Sequence, residues 1–135
     1  MVSGVLMSIR PTYSAAIFAG TKTVELRRRR PSFDAGTRVL VYSTSPSQHV
    51  EGVFEVGGVL GAEPSVLWEE VKDRAGVDRA TFDAYFAGCE LAYAIEVVRP
   101  RRVRPQKLPI RPPQSYQFLR ARQHAHRALL RLAYG

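Results

Sequence analysis

A short stretch near the N-terminus combines an amine, a carboxylate and a guanidinium at close spacing. Thr23–Arg30 alternates and is rich in residues that favour extended backbone, so it predicts a strand with Thr23, Glu25 and Arg27 on one face. The ammonium of Lys22 could hold a phosphate or polarise a carbonyl. Glu25 could accept a hydrogen bond from an exocyclic amine or act as a general base. The alternative is an ion pair of Glu25, with Lys22 or an arginine, that closes the strand edge.

Four consecutive arginines end this predicted strand. Arg27 is the one best placed to work with Glu25, as a fork for a phosphate group. Val24 and Leu26 are predicted on the opposite face, in the core, and Arg30 is predicted to be solvated. The alternative for the whole run is a charged edge that discourages strand pairing.

Two further groups of side chains are candidates for ligand contact. An aromatic ring beside small hydroxyls suits a base that stacks and forms hydrogen bonds. A predicted helix start offers unpaired N–H groups that favour an anion. The alternatives are a core ring in the first group and a helix cap in the second. The first group is Tyr42, Ser43 and Ser45, and the second is Gln114, Ser115 and Tyr116.

Positive charge is concentrated in the last part of the chain. Residues 1–96 hold 12 acidic and 10 basic side chains, a net −2, whereas residues 97–135 hold 10 basic side chains and no acidic one, a net +10. Such a segment attracts polyanions, because neutralised phosphates release their counterions. A solvated tail that aids solubility is the alternative. One face of the predicted last helix suits a phosphate backbone: Arg120, His124, Arg127 and Arg131.

Several classes of site and location are disfavoured. His49, His124 and His126 do not have the spacing of a metal site, and neither a metal nor another cofactor is expected. Cys89 is the only cysteine, so no internal disulfide is possible. Met1–Arg10 lacks the features of a signal peptide, and no run approaches the ~20 apolar residues of a membrane helix. These features favour a cytoplasmic protein with no membrane partner; they leave its oligomeric state open.

The pattern of apolar and turn residues predicts short strands and helices in one domain that spans residues 1–135. Glycines inside the strands suggest bends, so we expect an α+β fold with a small mixed β-barrel. The predicted strands are Val5–Ile9, Thr23–Arg30, Thr37–Ser43, Val50–Leu60 and Leu91–Val98. The predicted helices are Pro11–Ala19, Pro64–Ala75, Arg79–Ala87 after an Asp78 cap, and Pro113–Ala133, with an irregular segment at Pro100–Pro112.

Several of these segments together resemble the ASCH domain, a branch of the PUA-like superfamily. The resemblance implies a PUA-like barrel over about residues 5–119, with the basic helix at about 113–133 beside it. Its most specific part is the Gly-x-Lys-Thr-x-Glu-x-Arg stretch. The segments are LMSIRP, GTKTVELRRR, GTRVLVYSTSP, GVFEV, YFAGCELAYAIE and PPQSYQFL, which begin at residues 6, 20, 36, 52, 85 and 112.

The resemblance implies a cleft beside that stretch and a role in RNA metabolism or gene regulation. We expect RNA or a nucleotide-like ligand to bind there, with the basic segment extending the phosphate contact. The rival is a small hydrolase, since some ASCH proteins are ribonucleases and a smaller relative hydrolyses acetylated cytidine with Lys, Thr and Glu. Lys22 matches that lysine, but Glu25 stands where the relative has its nucleophilic threonine, so Thr23 or a water activated by Glu25 would have to act. A ligand-sensing regulator is the third possibility.

Overall fold

A computed structural model describes residues 4–135; residues 1–3, part of the segment in which no signal peptide was expected, lie outside it. Residues 4–135 form six strands and four helices. In chain order they are β1 (Gly4–Ile9), α1 (Pro11–Ala19), β2 (Val24–Arg27), β3 (Arg38–Ser43), β4 (His49–Ala62), α2 (Pro64–Val71), α3 (Arg79–Phe86), β5 (Ala92–Gln106), β6 (Tyr116–Leu119) and α4 (His124–Tyr134).

The strands form one mixed sheet in the order β2-β5-β4-β3-β1-β6. Only β1 and β3 run parallel among the pairs of the described residues; the remaining pairs are antiparallel. The predicted α+β class is therefore confirmed. The sheet is open, with β2 and β6 at its two edges, so a closed barrel is not confirmed.

The sheet packs against helices on both faces because side chains alternate along each strand. On one face, Val5 and Met7 of β1 pack with Ile17 of α1. On the opposite face, Leu6 packs with Leu129 of α4. A third buried cluster joins the end of the sheet to α2 and α3, and it contains Val24, Leu26, Leu67, Val71, Phe82 and Phe86. The prediction that Val24 and Leu26 enter the core is confirmed.

The first three helices follow local signals in the sequence. The predicted bounds of α1 are confirmed, and Gly20 ends it with φ 86°, a left-handed conformation that glycine adopts without a Cβ clash. Asp78 caps α3 as predicted, because its carboxylate accepts the N–H of Thr81 at 2.8 Å. The helix α2 ends at Val71, four residues before the predicted end.

The long strands β4 and β5 contain the predicted irregularities. Their pairing shifts register between Val50 and Gly52, between Val53 and Glu55, and between Val56 and Val59. A Cβ at Gly52 would lie 2.5 Å from the ring of Phe18, so glycine there lets α1 pack directly on the sheet.

The prediction of an irregular segment at Pro100–Pro112 is wrong for its first half. There β5 continues to Gln106, paired with β4. Pro100 and Pro105 both fall at the register shifts, where a residue without an N–H removes no paired hydrogen bond. Pairing with a distant strand thus overrides the local effect of the prolines.

The prediction of a helix over Pro113–Ala133 is wrong for its first eleven residues. Tyr116–Leu119 forms β6 and pairs antiparallel with β1, and α4 begins only at His124. One edge of β1 pairs with β3, and its other edge is available to Tyr116–Leu119. The apolar period of this segment suits a helix and carries no information about that distant strand. Gln114, Ser115 and Tyr116 therefore do not begin a helix, and the predicted anion site at a helix start is not there.

Candidate functional site

A cavity of about 430 Å³ opens between β2, the β1–α1 junction and α3. We call it the Lys22–Glu25 cavity, after two charged residues that line it. Its lining comes from different segments: Ser8, Arg10 and Tyr13 belong to β1, α1 and their junction, and Val77, Phe82 and Tyr85 to α3 and the residues before it. Three local features bring these residues together, namely the end of β1, the glycine that ends α1 and the capped start of α3.

Lys22 is buried with only 1% of its surface exposed. Its Nζ donates to the carbonyl oxygen of Ala75 at 2.6 Å, lies 4.0 Å from Oε1 of Glu25, and is 4.9 Å from the ring centre of Tyr13. Burial lowers the pKa of Lys22, an effect that Glu25 opposes and the nearby Arg27 strengthens. The amine is thus easier to deprotonate than a solvated lysine.

The carboxylate of Glu25 lies between two cations. Arg27 donates from Nη2 to Oε2 of Glu25 at 3.2 Å, and the side chain of Glu25 is only 9% exposed. The prediction that Glu25 and Arg27 share a face of β2 is confirmed. The ion pairs weighed as an alternative also form, but inside a cavity, where water screens them less than at a strand edge.

Arg27 connects the two edges of the open sheet. It donates from Nη1 to the hydroxyl of Ser115, next to β6, at 3.0 Å and from Nη2 to the carbonyl of Ser8, in β1, at 3.3 Å. Its Nε is buried and has no hydrogen-bond acceptor among residues 4–135. One side chain therefore links β2 to β1 and β6, across the gap where a barrel would close.

Tyr13 and Tyr85 were not among the predicted site residues. Tyr85 is 40% exposed, and its hydroxyl donates to the carbonyl of Leu26 at 3.2 Å. Partial burial raises the pKa of Tyr85, so its hydroxyl stays protonated to higher pH. The sequence offered a weak signal for Tyr85, because it begins one of the ASCH-like segments; nothing distinguished Tyr13.

A second cavity of about 600 Å³ adjoins the first, and the two share Arg27 and Tyr85. We call it the arginine cavity, because Arg27, Arg28, Arg29 and Arg30 all line it. Ser115 and Tyr116 line it from the β6 side. Two of the three residues predicted at a helix start therefore line a cavity next to the one that contains Glu25, although no helix places them there.

The other predicted residues lie elsewhere. Tyr42 belongs to the buried cluster under α4, and Ser43 is fully buried and accepts a hydrogen bond from Ser14 at 3.1 Å. Neither Thr23 nor Ser45 lines either cavity. Four predicted residues are exposed and line neither cavity: Ser45, Gln114, Arg120 and Arg127. Arg120 precedes α4, so the prediction that it shares a helix face with Arg127 is wrong.

The histidines of the last segment have structural contacts. His126 is 4% exposed, and its Nδ1 accepts the backbone N–H of Arg120 at 2.9 Å. Burial, with a smaller effect of Arg120, lowers the pKa of His126. Among residues 4–135 no group of three His, Cys, Asp or Glu side chains is arranged to hold a metal ion. No helix in the same range is long and apolar enough to cross a membrane.

Fold and cavity together define a small α+β protein with an open mixed sheet and a cation-rich cavity beside its edge strand β2. Residues 7–101 match the family model of the ASCH domain. The chain belongs to the ASCH domain family, within the PUA-like superfamily.

Individual relatives agree with this assignment. An ASCH domain-containing ribonuclease from Zymomonas mobilis subsp. mobilis is 30% identical over 123 residues, 85% of this chain and 83% of that protein. A crystal structure of ASCH from Zymomonas mobilis superposes with a TM-score of 0.87 at 28% identity, covering 96% of this chain and 95% of that one. The large ribosomal subunit protein uL22 of Ureaplasma parvum is 25% identical over 91 residues, 67% of this chain but only 29% of that protein.

Proposed function

We propose that this protein binds RNA and seats one nucleotide base in the Lys22–Glu25 cavity. The observation that carries the proposal is the position of Glu25. Its carboxylate is nearly buried, flanked by Lys22 and Arg27, at a cavity with aromatic rings in its walls. A carboxylate held between two cations beside aromatic and apolar side chains is typical of sites that fix the orientation of a small planar ligand.

The chemistry of Glu25 favours bases with an exocyclic amine. An ionised carboxylate only accepts hydrogen bonds, and cytosine and adenine present amino donors where uracil presents a carbonyl. Tyr13 and Tyr85, which both line the cavity, offer rings for stacking. We therefore expect cytidine and adenosine to bind better than uridine.

RNA is favoured over a free small molecule by two independent features. Ten basic and no acidic side chains fall in residues 97–135, which supplies a surface for the phosphate backbone. In addition, the relative from Zymomonas mobilis is named a ribonuclease. In this proposal the exposed Arg120 and Arg127 add affinity without reading the base.

The test is fluorescence anisotropy with labelled hexamers of cytidine, adenosine or uridine. Glu25→Gln keeps the shape but replaces the carboxylate, so affinity for the cytidine or adenosine hexamer should fall about ten- to a hundredfold. Glu69→Gln is the matched control, because Glu69 is exposed on α2, pairs with Lys72 there and lines neither cavity. Equal affinity of the Glu25→Gln variant and the unaltered protein would refute base recognition by Glu25.

A second candidate function is ribonuclease activity in the same cavity. It is favoured by the lowered pKa of Lys22 beside Glu25 and by the name of the Zymomonas mobilis relative. Glu25 would take the proton of a ribose 2′-hydroxyl as its oxygen attacks the adjacent phosphorus. Lys22 would give a proton to the departing 5′-oxygen, so the products would be a 2′,3′-cyclic phosphate and a 5′-hydroxyl.

Incubation of RNA with the pure protein, with and without divalent metal, separates binding from cleavage. For an enzyme, Lys22→Ala or Glu25→Ala should lower turnover about 10²–10⁴-fold, whereas Thr23→Ala, outside the cavity, should leave it unchanged. Acetylated cytidine in the same assay tests the amidohydrolase, whose products would be cytidine and acetate. RNA that is bound but intact after incubation would rule out the ribonuclease and leave the binding function.

A further inference from the structure

The arginine cavity brings four arginines together around one concave space. Some exposed arginines elsewhere pair with a carboxylate, as Arg99 does with Glu55 at 2.6 Å and Arg102 with Glu51 at 3.0 Å. No carboxylate lines the arginine cavity in the part of the chain that the structure describes, although four guanidinium groups do. Four like charges around one concave space repel each other unless an anion enters.

We propose that the arginine cavity binds the phosphate group of the nucleotide whose base enters the Lys22–Glu25 cavity. The inference rests on the proposed function for the base, and it adds where the phosphate lies. The four arginines that looked like a plain charged strand end would thereby form a specific part of the site.

The proposal depends first on Arg28, which is held in place. Its Nε donates to Sγ of Cys89 at 3.2 Å, and its Nη2 donates to the carbonyl of Ala87 at 3.2 Å. A guanidinium has five N–H donors, so these two bonds leave others available. An arginine fixed by the end of α3 loses less side-chain entropy on binding than a free one.

Arg30 is oriented in a different way. Its guanidinium carbon lies over the ring of Tyr93, 6.0 Å from the ring centre, a cation–π contact that uses none of its five N–H donors. Arg28 and Arg30 are therefore both oriented side chains. Guanidinium groups presented edge-on suit the oxygens of a phosphate group.

Arg27 borders both cavities, so a single nucleotide could place its base in one and its phosphate in the other. It lines both cavities and donates hydrogen bonds to Glu25 and to Ser115. Its Nε is buried and has no hydrogen-bond acceptor among residues 4–135. Tyr85 also borders both spaces. A ribose that passes these two side chains would leave its base beside Glu25 and its phosphate among the arginines.

Isothermal titration calorimetry with cytidine, adenosine and their 5′- and 3′-monophosphates tests the proposal. At least one monophosphate should bind about ten- to a hundredfold more tightly than its nucleoside. The double variant Arg28→Ala/Arg30→Ala should abolish this gain but leave nucleoside affinity unchanged. Arg28→Lys/Arg30→Lys should restore only part of the gain, because lysine keeps the charge without the fork.

The matched control is Arg104→Ala/Arg111→Ala, which removes two exposed positive charges outside both cavities. It should leave the affinity for monophosphates unchanged. Equal losses in the two double variants would overturn the proposal, because the gain would then be nonspecific attraction. Thermal melts should show all variants folded, since the substituted side chains are exposed.

Two other results separate this inference from the proposed function. Nucleosides that bind as tightly as their monophosphates would overturn the phosphate site and leave the base site intact. Absence of binding by nucleosides, nucleotides and RNA would overturn both. RNA hexamers with and without a terminal phosphate complete the test. If Arg28→Ala/Arg30→Ala loses affinity only for the hexamer with a terminal phosphate, the cavity binds a terminal phosphate. If the variant loses affinity for both hexamers, the cavity binds an internal phosphate.

Discussion

The residues that line the Lys22–Glu25 cavity and the basic segment after residue 96 are both strongly charged, but their charges are held differently. Lys22 and Glu25 are buried, and each has more than one polar or aromatic partner. In residues 97–135, all ten basic residues are exposed. Some of them also make structural contacts, such as Arg101, which donates to the carbonyl of Leu132 near the end of α4.

The difference separates two kinds of electrostatic contribution. Buried, oriented charges distinguish one ligand from another, because a mismatched partner leaves them unsatisfied in a medium of low polarity. Exposed charges attract any polyanion, and salt screens them. We therefore expect base preference to depend on the cavity and salt dependence to depend on the basic segment.

The largest expected effect comes from Lys22→Met. We expect affinity for RNA to fall more than tenfold, since the cavity loses its deepest cation, while the melting temperature at pH 7 stays the same or rises. A buried charge is costly to desolvate, and an apolar side chain of similar length avoids that penalty. A variant that is folded and binds RNA normally would contradict the role given to Lys22.

The same variant should also change how stability depends on pH. The pKa of Lys22 in the folded protein lies below 10.5, its value in the unfolded chain. At a pH between the folded and the unfolded pKa, the unfolded chain therefore binds more protons than the folded protein. The free energy of unfolding therefore rises with pH between these two pKa values. Below the folded pKa, Lys22 is charged in both states, and the full desolvation penalty of the buried charge remains. Melting curves at pH 7–10 should show this rise in the unaltered protein and not in Lys22→Met.

An intermediate effect is expected from the exposed arginines. Replacing Arg104, Arg120 and Arg127 by Gln should make the plot of log K against log salt shallower, by about 0.7 for each phosphate of single-stranded RNA that the variant no longer neutralises. The order of preference among cytidine, adenosine and uridine hexamers should stay the same. A changed order would show that the basic segment reads bases, and the contrast with the cavity would fail.

The smallest effect concerns His126, which supports the basic segment without touching either cavity. Its pKa is lowered from 6.5, so between the lowered value and 6.5 the unfolded chain binds more protons. Stability from His126 is complete above pH 6.5 and is lost as pH falls through the lowered pKa. His126→Asn keeps an acceptor for the N–H of Arg120 but cannot titrate, so its melting temperature should fall less between pH 7 and 5.

Much of the local structure could be predicted because the signals lie close together in the chain. The bounds of α1 follow from Pro11 and Gly20, and the start of α3 follows from Asp78. The alternation in β2 was enough to place Glu25 and Arg27 on one face. The ASCH-like segments identified the family and drew attention to Lys22.

Other parts depended on contacts between distant residues. Residues 113–123 have an apolar spacing that suits a helix, yet Tyr116–Leu119 pairs with β1, more than 100 residues earlier. Tyr42 seemed suited to stacking, but α4 covers it. A local period cannot indicate which strand edge is free or which helix covers a ring.

The sequence by itself determined the α+β class, the family, most element positions and the residues with the strongest chemistry. Only the tertiary structure decided which of those residues share a space. Arg27 and Ser115 are 88 positions apart and bonded at 3.0 Å, and Tyr13 and Tyr85 line one cavity from different helices. These neighbours are decided by the packing of strands and helices, which minimises the exposed apolar surface of the whole chain. No local sequence pattern indicates that packing.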